Sequence, residues 1–289
     1  MKHSLLVLLL IPAAALAHPS IGLVCNSKGV LFYTDLEQVW RLENGKKTIA
    51  VPHVHTHELY IDPADNLYGE DNQYEGEATN RYNHYMWVLR PNGRLDTVVG
   101  KRQAYVRHDF SLARDAAGTE YYLKQGDTTH IYRKPAGGAE TVMAQGQYSG
   151  VRWLHPQPDG SVLFAVRNQV HRIDRGGKES IVMRATATGN PSFKYYGDST
   201  VWGMWQDRAG AVYVAIFSDQ AVKKVDRAGR ESIAYRSTGP WGPTHGVFDN
   251  KGRLWVMECS DKNEVRVVLA GGTAATVAEV VGALGTSKL

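Results

Sequence analysis

The sequence is poor in several features that would identify a function at once. Only two cysteines occur in 289 residues, and they do not form a Cys-x-x-Cys pair, which excludes cysteine-based zinc clusters and dithiol redox motifs. No glycine-rich phosphate loop, nucleophile elbow or Asn-x-Ser/Thr glycosylation site is present. These absences exclude the common nucleotide-binding signatures and the α/β-hydrolase signature.

Long helical patterns, long apolar runs and clusters of one charge are also missing. No segment is long and apolar enough for a membrane span, so none is predicted. The formal net charge is +4, but Lys and Arg are interspersed with Asp and Glu, which argues against a nucleic-acid partner. With 43% hydrophobic and 21% charged residues, the composition is typical of a globular protein.

Residues 1–17 have the pattern of a secretory signal peptide. Lys2 gives a basic start, Leu5–Ile11 forms an apolar stretch, and Ala15-Leu16-Ala17 is a small-residue cleavage site. We therefore expect export to the periplasm or the extracellular space, with a mature chain that begins at His18 and forms one domain over residues 18–289.

A strand–turn–strand phrase recurs along the rest of the chain. Its clearest form is His245–Glu258, in which a short apolar strand, an Asp-Asn-Lys-Gly turn and an alternating strand follow one another. Copies start near Ile21, His57, His108, Val151, Trp202 and His245. Their spacing of 36 to 51 residues is the period of propeller blades.

The pattern therefore predicts an all-β chain folded as a six-bladed β-propeller of four-stranded antiparallel blades. The predicted blades are Ile21–Val51, His53–Gly100, Lys101–Gly146, Gln147–Gly189, Asn190–Gly239 and Pro240–Val281, with a tail over Gly282–Leu289. Radial repetition of this kind protects the sheet edges that a single four-stranded sheet would expose.

Two segments carry a resemblance to known propellers. Val212–Ala215 with Ala221–Gly229, and Arg253–Glu258, resemble NHL-type repeats. The wider pattern resembles the superfamily of NHL, SMP-30/gluconolactonase and streptogramin-lyase propellers. The resemblance implies an enzyme that acts on an ester or a lactone, with a divalent metal ion, or a non-catalytic NHL-type binding module.

Blade geometry predicts which residues meet at one rim of the central channel, because the first strand starts and the second strand ends on the same face. The predicted ends of the second strands are Asp35, Glu70, Lys124, Val166, Ile216 and Glu258. The predicted starts of the first strands are Gly22, His57, His108–Ser111, Trp153, Trp202-Gly203 and His245. This rim therefore collects acids and histidines.

Two His–Glu pairs on this rim are candidate catalytic groups. His57 with Glu70 and His245 with Glu258 have the same separation, and a carboxylate beside an imidazole orients it and raises its basicity. We favour His245 with Glu258 as general base and orienting group, because two prolines stiffen the preceding segment Gly239–Thr244.

The same rim is also expected to provide the ligands of a metal ion. His55, His57, His108 and Glu70 could hold one divalent ion, for which magnesium, calcium and zinc are all candidates. The alternative is a polar loop that leads into the second blade. The family resemblance implies other ligands: the SMP-30 site has an acid at the start of the first blade and another at the start of a late blade, where this chain has Gly22 and Gly203.

Aromatic and basic residues near the same rim predict a cleft for a small-molecule or glycan-like ligand. The long segments expected there are Asp71–Tyr85, Thr186–Thr200 and Ser237–Pro243. The candidate ligand-binding residues are Trp153, Arg152, Trp202, Trp241, Tyr195, Tyr196, Arg107 and Lys124. Packing of these aromatics between blades is the alternative.

The functional interpretation therefore has two branches. The first is an exported lyase or hydrolase that acts on a cyclic ester or sugar-derived ligand at the channel rim. The second is a monomeric, non-catalytic propeller that binds a glycan, peptide or protein. Cys25 and Cys259 fall in the first and last blades, but a vertical offset of roughly 10 Å, from three residues of strand rise, disfavours a disulfide.

Overall fold

The computed structural model describes residues 20–271 apart from 77, 80, 104–109, 125, 149, 152 and 186–200. Within these residues 22 strands form six antiparallel sheets, and there is no helix. In four sheets the strands follow one another in chain order from first to fourth, as in a propeller blade. The predicted six-bladed β-propeller is confirmed.

The first three blades occupy residues 23–146. Blade 1 contains β1 (Leu23–Cys25), β2 (Leu31–Thr34), β3 (Gln38–Glu43) and β4 (Lys46–Pro52). Blade 2 contains β5 (Leu59–Ile61), β6 (Leu67–Tyr74), β7 (Tyr82–Leu89) and β8 (Leu95–Arg102). Blade 3 contains β9 (Glu120–Lys124), β10 (Thr129–Lys134) and β11 (Thr141–Gly146).

The last three blades occupy residues 155–269. Blade 4 contains β12 (His155–Pro156), β13 (Val162–Val166), β14 (Gln169–Ile173) and β15 (Glu179–Arg184). Blade 5 contains β16 (Val201–Gln206), β17 (Val212–Ile216), β18 (Ala221–Val225) and β19 (Glu231–Arg236). Blade 6 contains β20 (Trp241–Phe248), β21 (Leu254–Ser260) and β22 (Val265–Leu269).

Blades 3 and 6 have three strands each among the described residues, one fewer than expected. In blade 3 the innermost position is occupied by an irregular segment, which among the described residues forms one isolated β-bridge with β9, Arg114–Glu120. The predicted end of blade 6 at Val281 and the tail Gly282–Leu289 lie outside the described residues, as do residues 1–17 and His18.

An aspartate organises the turn after the inner strand in four blades: Asp62, Asp115, Asp207 and Asp249. Its Oδ1 accepts hydrogen bonds from backbone N–H groups within the turn. Its Oδ2 accepts from the side chain six residues later, a tyrosine in three blades and Trp255 in blade 6. One carboxylate thus closes the turn and fixes the following strand.

The apolar core lies between neighbouring blades, and each of the six interfaces has its own cluster of buried residues. The ring closes where Leu23, Leu31 and Tyr33 of blade 1 pack against Met257 and Val267 of blade 6. Both cysteines are free thiols, so closure depends on packing and does not use a disulfide.

The structure corrects the expectation of a long loop over Asp71–Tyr85, because most of this segment is strand. β6 and β7 pair continuously from Leu67↔Leu89 to Tyr74↔Tyr82. The polar residues that suggested a loop are instead paired with backbone: Asp71 Oδ1 accepts from the His55 N–H at 2.7 Å, and the Asn72 N–H donates to the His55 carbonyl at 3.0 Å.

None of the described residues forms a helix that could span a membrane.

Candidate functional site

A cluster of two histidines and one glutamate lies on blade 2 beside the start of its inner strand. Glu70 is 4% exposed and accepts hydrogen bonds on both carboxylate oxygens. Its Oε1 lies 3.1 Å from His57 Nδ1, and its Oε2 lies 2.8 Å from His84 Nε2. Two imidazole partners compensate the burial of this carboxylate, which would otherwise be strongly unfavourable.

The surrounding backbone holds Glu70 in place. The Trp87 Nε1–H donates to the Glu70 carbonyl at 2.8 Å, and the Glu70 N–H donates to Thr56 Oγ1 at 3.1 Å. His57 keeps the most contact with solvent in the cluster, with a side chain that is 10% exposed against 1% for His84. The arrangement therefore presents one oriented imidazole at the edge of a rigid buried network.

The second predicted pair, His245 with Glu258, does not form. Glu258 is fully buried and accepts from Tyr235 Oη at 2.8 Å and from Arg266 Nε at 2.6 Å. Burial and the Glu258 carboxylate raise the pKa of Tyr235, so its phenol keeps the proton that it donates. Glu258 therefore joins neighbouring strands of blades 5 and 6 and does not orient His245.

The register of the two blades explains why equal spacing gave different contacts. His57 precedes its turn residue Asp62 by five residues, whereas His245 precedes Asp249 by four. Side chains alternate between the faces of a strand, so a shift of one residue reverses the face. In blade 6, His245 is opposite Met257 and Glu258 is opposite Pro243, with a bulge between these two pairs.

His245 instead lies in an aromatic environment with His155. The two imidazole centroids are 5.6 Å apart and the rings are stacked, and the Trp205 ring lies 5.4 Å from His245 in an edge-to-face arrangement. Burial lowers the pKa of His245 to about 4. Burial, and then the neighbouring His245, lowers the pKa of His155 to about 3. Both rings are therefore neutral at pH 7.

These rings line a channel of about 790 Å³ at the centre of the propeller. The lining comes from the inner strands of the blades and continues to the turns that follow them, for example at Asp115, Arg208 and Gly252. His57, Glu70, Trp153 and Trp202 do not contribute to it. The channel thus extends towards the turn face, whereas the His57–Glu70–His84 cluster lies beside the start of an inner strand.

The residues at the SMP-30 ligand positions do not fit a metal ion. A Cβ at Gly203 would lie 2.3 Å from His245 Nδ1 and 2.5 Å from the Thr244 carbonyl oxygen. A Cβ at Gly22 would lie 2.7 Å from Thr34 Cγ2. Acidic side chains therefore have no room there, and among the described residues no three His, Cys, Asp or Glu converge as metal ligands.

Gly203→Ala is expected to destabilise the protein by about 1–3 kcal/mol, the usual cost of overpacking a filled site. The added methyl group meets the backbone of β20, which cannot move aside as a flexible side chain would. Urea denaturation measures the loss. The matched variant Gly100→Ala, where a Cβ meets no atom within 4 Å, should change the unfolding free energy much less. Equal effects at both positions would contradict the steric argument.

The other residues that were expected to bind a ligand or a metal ion lie in different environments. Trp202 is 2% exposed and packs against Phe217 and Trp153. Trp241 is covered by the Arg266 guanidinium at 4.1 Å, and Lys124 pairs with Glu140 at 2.9 Å. His55 lies edge-on to His57 with centroids 4.7 Å apart. Outside the described residues lie Arg107, His108, Arg152, Tyr195 and Tyr196.

Sequence reasoning missed His84 and His155. His84 was assigned to the loop, although the alternation Tyr82–Val88 would have placed it on the same strand face as Met86, which is opposite Glu70. His155 lies at the first residue of a two-residue strand, and it has no distinctive sequence signal.

The chain is similar in structure to several solved propellers. It has a TM-score of 0.56 and 17% identity to a calcium-binding regucalcin from Agrobacterium tumefaciens, over 83% of this chain and 81% of that one. The score is 0.53 with 16% identity for a gluconolactonase from Xanthomonas campestris, over 83% of each chain. For a luciferin-regenerating enzyme the TM-score is 0.54 with 13% identity, over 90% of this chain and 88% of that one.

No protein-family model matches the chain, and no curated protein matches it in sequence. At these identities the structural similarity establishes the fold. The chain therefore has the same fold as these three proteins, the β-propeller, with six blades in this chain.

Proposed function

We propose that the protein is an exported propeller enzyme, a hydrolase or lyase that acts on a cyclic ester or sugar-derived ligand at the rim beside His57. The observation that carries the proposal is the contact of 3.1 Å between His57 Nδ1 and Glu70 Oε1. It replaces the expected pair His245/Glu258 as the candidate catalytic pair. The structural relatives whose names describe a gluconolactonase and a luciferin-regenerating enzyme agree with a catalytic role.

The chemistry follows from the orientation of the imidazole. Glu70 engages Nδ1 and thereby fixes both the tautomer and the ring position, so proton transfer takes place at Nε2. In hydrolysis, Nε2 accepts a proton from water as its oxygen bonds to the ester carbonyl, the ester C–O bond breaks, and the leaving alkoxide takes the proton. In elimination, Nε2 accepts a proton from carbon, the electron pair of that C–H bond forms a C=C bond, and the C–O bond breaks with the ester oxygen leaving as a carboxylate.

His84 is a positioning residue in this proposal. Its Nε2 holds the second oxygen of Glu70 at 2.8 Å, and its side chain is only 1% exposed, which prevents direct contact with a ligand. A carboxylate fixed on both oxygens cannot rotate away from His57. No step passes through a metal ion, since the described residues do not provide a fitting ligand set.

A non-catalytic propeller that binds a small molecule, glycan or protein is the second candidate. The low exposure of the cluster favours it, because a buried His–Glu–His network can simply stabilise blade 2. In that case the rim would recognise a ligand without transforming it, and His57 would contribute to affinity alone.

The test is turnover of five- and six-membered sugar lactones and cyclic depsipeptides by the mature chain from His18. We expect His57→Gln to lower kcat by about 10²–10⁴, the usual contribution of a general base. Oxygen-18 from labelled water should appear in the product of a hydrolase and be absent from the product of a lyase. Absence of turnover across the panel would favour the binding module.

The matched control is His171→Gln. His171 Nδ1 lies 2.6 Å from Glu179 Oε1 on the third and fourth strands of blade 4, so this variant also breaks a His–Glu contact, but far from the inner strands. Its activity should equal that of the wild type. If His171→Gln and His57→Gln lose activity to the same degree, the loss reflects general damage to the fold and the catalytic assignment fails.

A further inference from the structure

The hairpin of β6 and β7 in blade 2 is longer than its counterparts in the other blades. Its ladder contains eight residue pairs, whereas the second and third strands of the other blades form four or five pairs among the described residues. β6 begins five residues after its turn aspartate Asp62, and β17 begins five residues after Asp207, so the additional pairs lie at the rim end. Three additional pairs extend the hairpin by roughly 10 Å on the face of the disk that carries His57.

One column of side chains runs along this hairpin from the His57–Glu70–His84 cluster to the tip. The ladder between β6 and β7 has no register shift, so every second residue of each strand points to the same face. The column consists of three opposing pairs, which are Glu70 and Met86, Asn72 and His84, and Tyr74 and Tyr82. The contact of 2.8 Å between Glu70 Oε2 and His84 Nε2 shows that neighbouring pairs of the column meet.

The column changes from buried to exposed at its outer end. Glu70 is 4% exposed and His84 is fully buried, whereas Tyr74 is 46% exposed. The rings of Tyr74 and Tyr82 have centroids 4.9 Å apart and are tilted by 41°, so they form a shallow aromatic corner. Tyrosine rings are large apolar surfaces with a polar tip, and nearly half of Tyr74 is accessible to a ligand.

The opposite face of the hairpin tip has a different chemistry. Gln73 and Asn83 oppose each other there, and Asn83 bonds to the Glu75 carboxylate. The three additional pairs therefore combine a polar face with a face that ends in two tyrosines. The aromatic face is the one that carries Glu70, so the tyrosines are continuous with the proposed catalytic rim.

We propose that Tyr74 and Tyr82 form an outer subsite, which binds a distal sugar ring of a substrate whose ester or lactone group lies at His57. The inference rests on the proposed function and adds the substrate class, an extended glycan that carries a lactone. Tyr74 lies four residues beyond Glu70 on β6, about 13 Å by strand rise, a distance that a single sugar ring does not bridge. Tyrosine rings pack against the C–H groups of a sugar while its hydroxyl groups stay in water.

The experiment compares glucono-δ-lactone with the δ-lactones of cellobionic and cellotrionic acid. Their β-1,4-linked rings form an extended chain, which suits the straight column on β6. We expect kcat/KM of the wild type to be about tenfold higher for the cellotrionic lactone than for glucono-δ-lactone, the order of one aromatic contact. Tyr74→Ala should remove this difference, and Tyr74→Phe should keep it because the ring remains.

The matched control is Gln73→Ala. Gln73 is exposed and adjacent to Tyr74 in sequence, but it lies on the opposite face of the hairpin. This variant should keep the wild-type preference for the longer lactone. If Gln73→Ala and Tyr74→Ala lose the preference equally, the loss reflects damage to the hairpin and the outer subsite is overturned.

Calorimetric titration with cellotriose, which has no lactone group, separates the subsite from the proposed activity. We expect Tyr74→Ala to bind cellotriose about tenfold more weakly than the wild type. If no lactone is turned over but cellotriose binding depends on Tyr74, the proposed activity fails and the subsite stands. If lactones are turned over without a preference for length, or cellotriose does not bind, the subsite is overturned. A dimer in sedimentation that Tyr74→Ala abolishes would also overturn it, because the tyrosines would then join two copies of the chain.

Discussion

Glu258→Ala is expected to lower the free energy of unfolding by about 3–5 kcal/mol, the usual cost of removing one partner of a buried ion pair. The carboxylate is fully buried and bonds to Arg266 and Tyr235. Without it, a guanidinium whose side chain is 13% exposed and the partly buried phenol of Tyr235 both lose their partner. Urea denaturation followed by tryptophan fluorescence measures the change.

Glu140→Ala is the matched control for this prediction. Glu140 also bonds to a tyrosine and a cation, Tyr122 and Lys124, but its side chain is 46% exposed. Water replaces the lost contacts there, so the loss should be much smaller. Addition of Arg266→Met to Glu258→Ala should restore part of the stability. If Glu258→Ala and Glu140→Ala lose equal stability, burial does not decide the contribution of Glu258.

The architecture could be predicted from the sequence because each blade repeats the same local chemistry. A turn aspartate or its substitute is followed three residues later by a residue with positive φ, which is glycine in five blades and Asp65 in blade 2. Glycine adopts this conformation without strain, so the repeat is visible as a regular Gly spacing. Blade number and inner turns follow directly from that signal.

The candidate site was only partly predictable, because side-chain contacts depend on strand register. The pairs His57/Glu70 and His245/Glu258 have the same separation, but they differ in the distance from the histidine to its turn aspartate and in the bulge between Pro243 and His245. A bulge of this kind has no reliable signal in a single sequence. The distance from each histidine to its turn aspartate is the better guide, since it fixes the strand face.

The packing of inner strands could not be predicted for a related reason. Gly203 and Gly246 have no side chain, and the rings of His245 and Trp205, respectively, occupy the space beside them. The reason for glycine at these two positions is apparent only once the packing of blade 5 against blade 6 is known. This same contact brings His245 against His155 and produces the neutral pair in the channel.

That neutral pair makes stability depend on pH. His155 has a folded-state pKa of about 3, below the value of 6.5 for an unfolded chain. Between these values the unfolded state binds more protons, so stability is full above about pH 6.5 and falls as the pH decreases towards 3. The contribution of His155 is on the order of 5 kcal/mol, from about 1.36 kcal/mol for each of the 3.5 pKa units between 6.5 and about 3.

His155→Phe should therefore flatten the dependence of stability on pH. Phenylalanine cannot be protonated, so the unfolding free energy of the variant should fall by about half as much as that of the wild type between pH 6.5 and pH 4.5. The remaining fall comes from His245, whose folded-state pKa is about 4. The turn carboxylates Asp62 and Asp249 have pKa values below 3.8, so they affect stability below this window. The measurement is urea denaturation at half-unit steps of pH, with the exposed His53→Phe as control. If His155→Phe and wild type fall in parallel, the pKa of His155 is not lowered in the folded protein and burial does not keep its ring neutral.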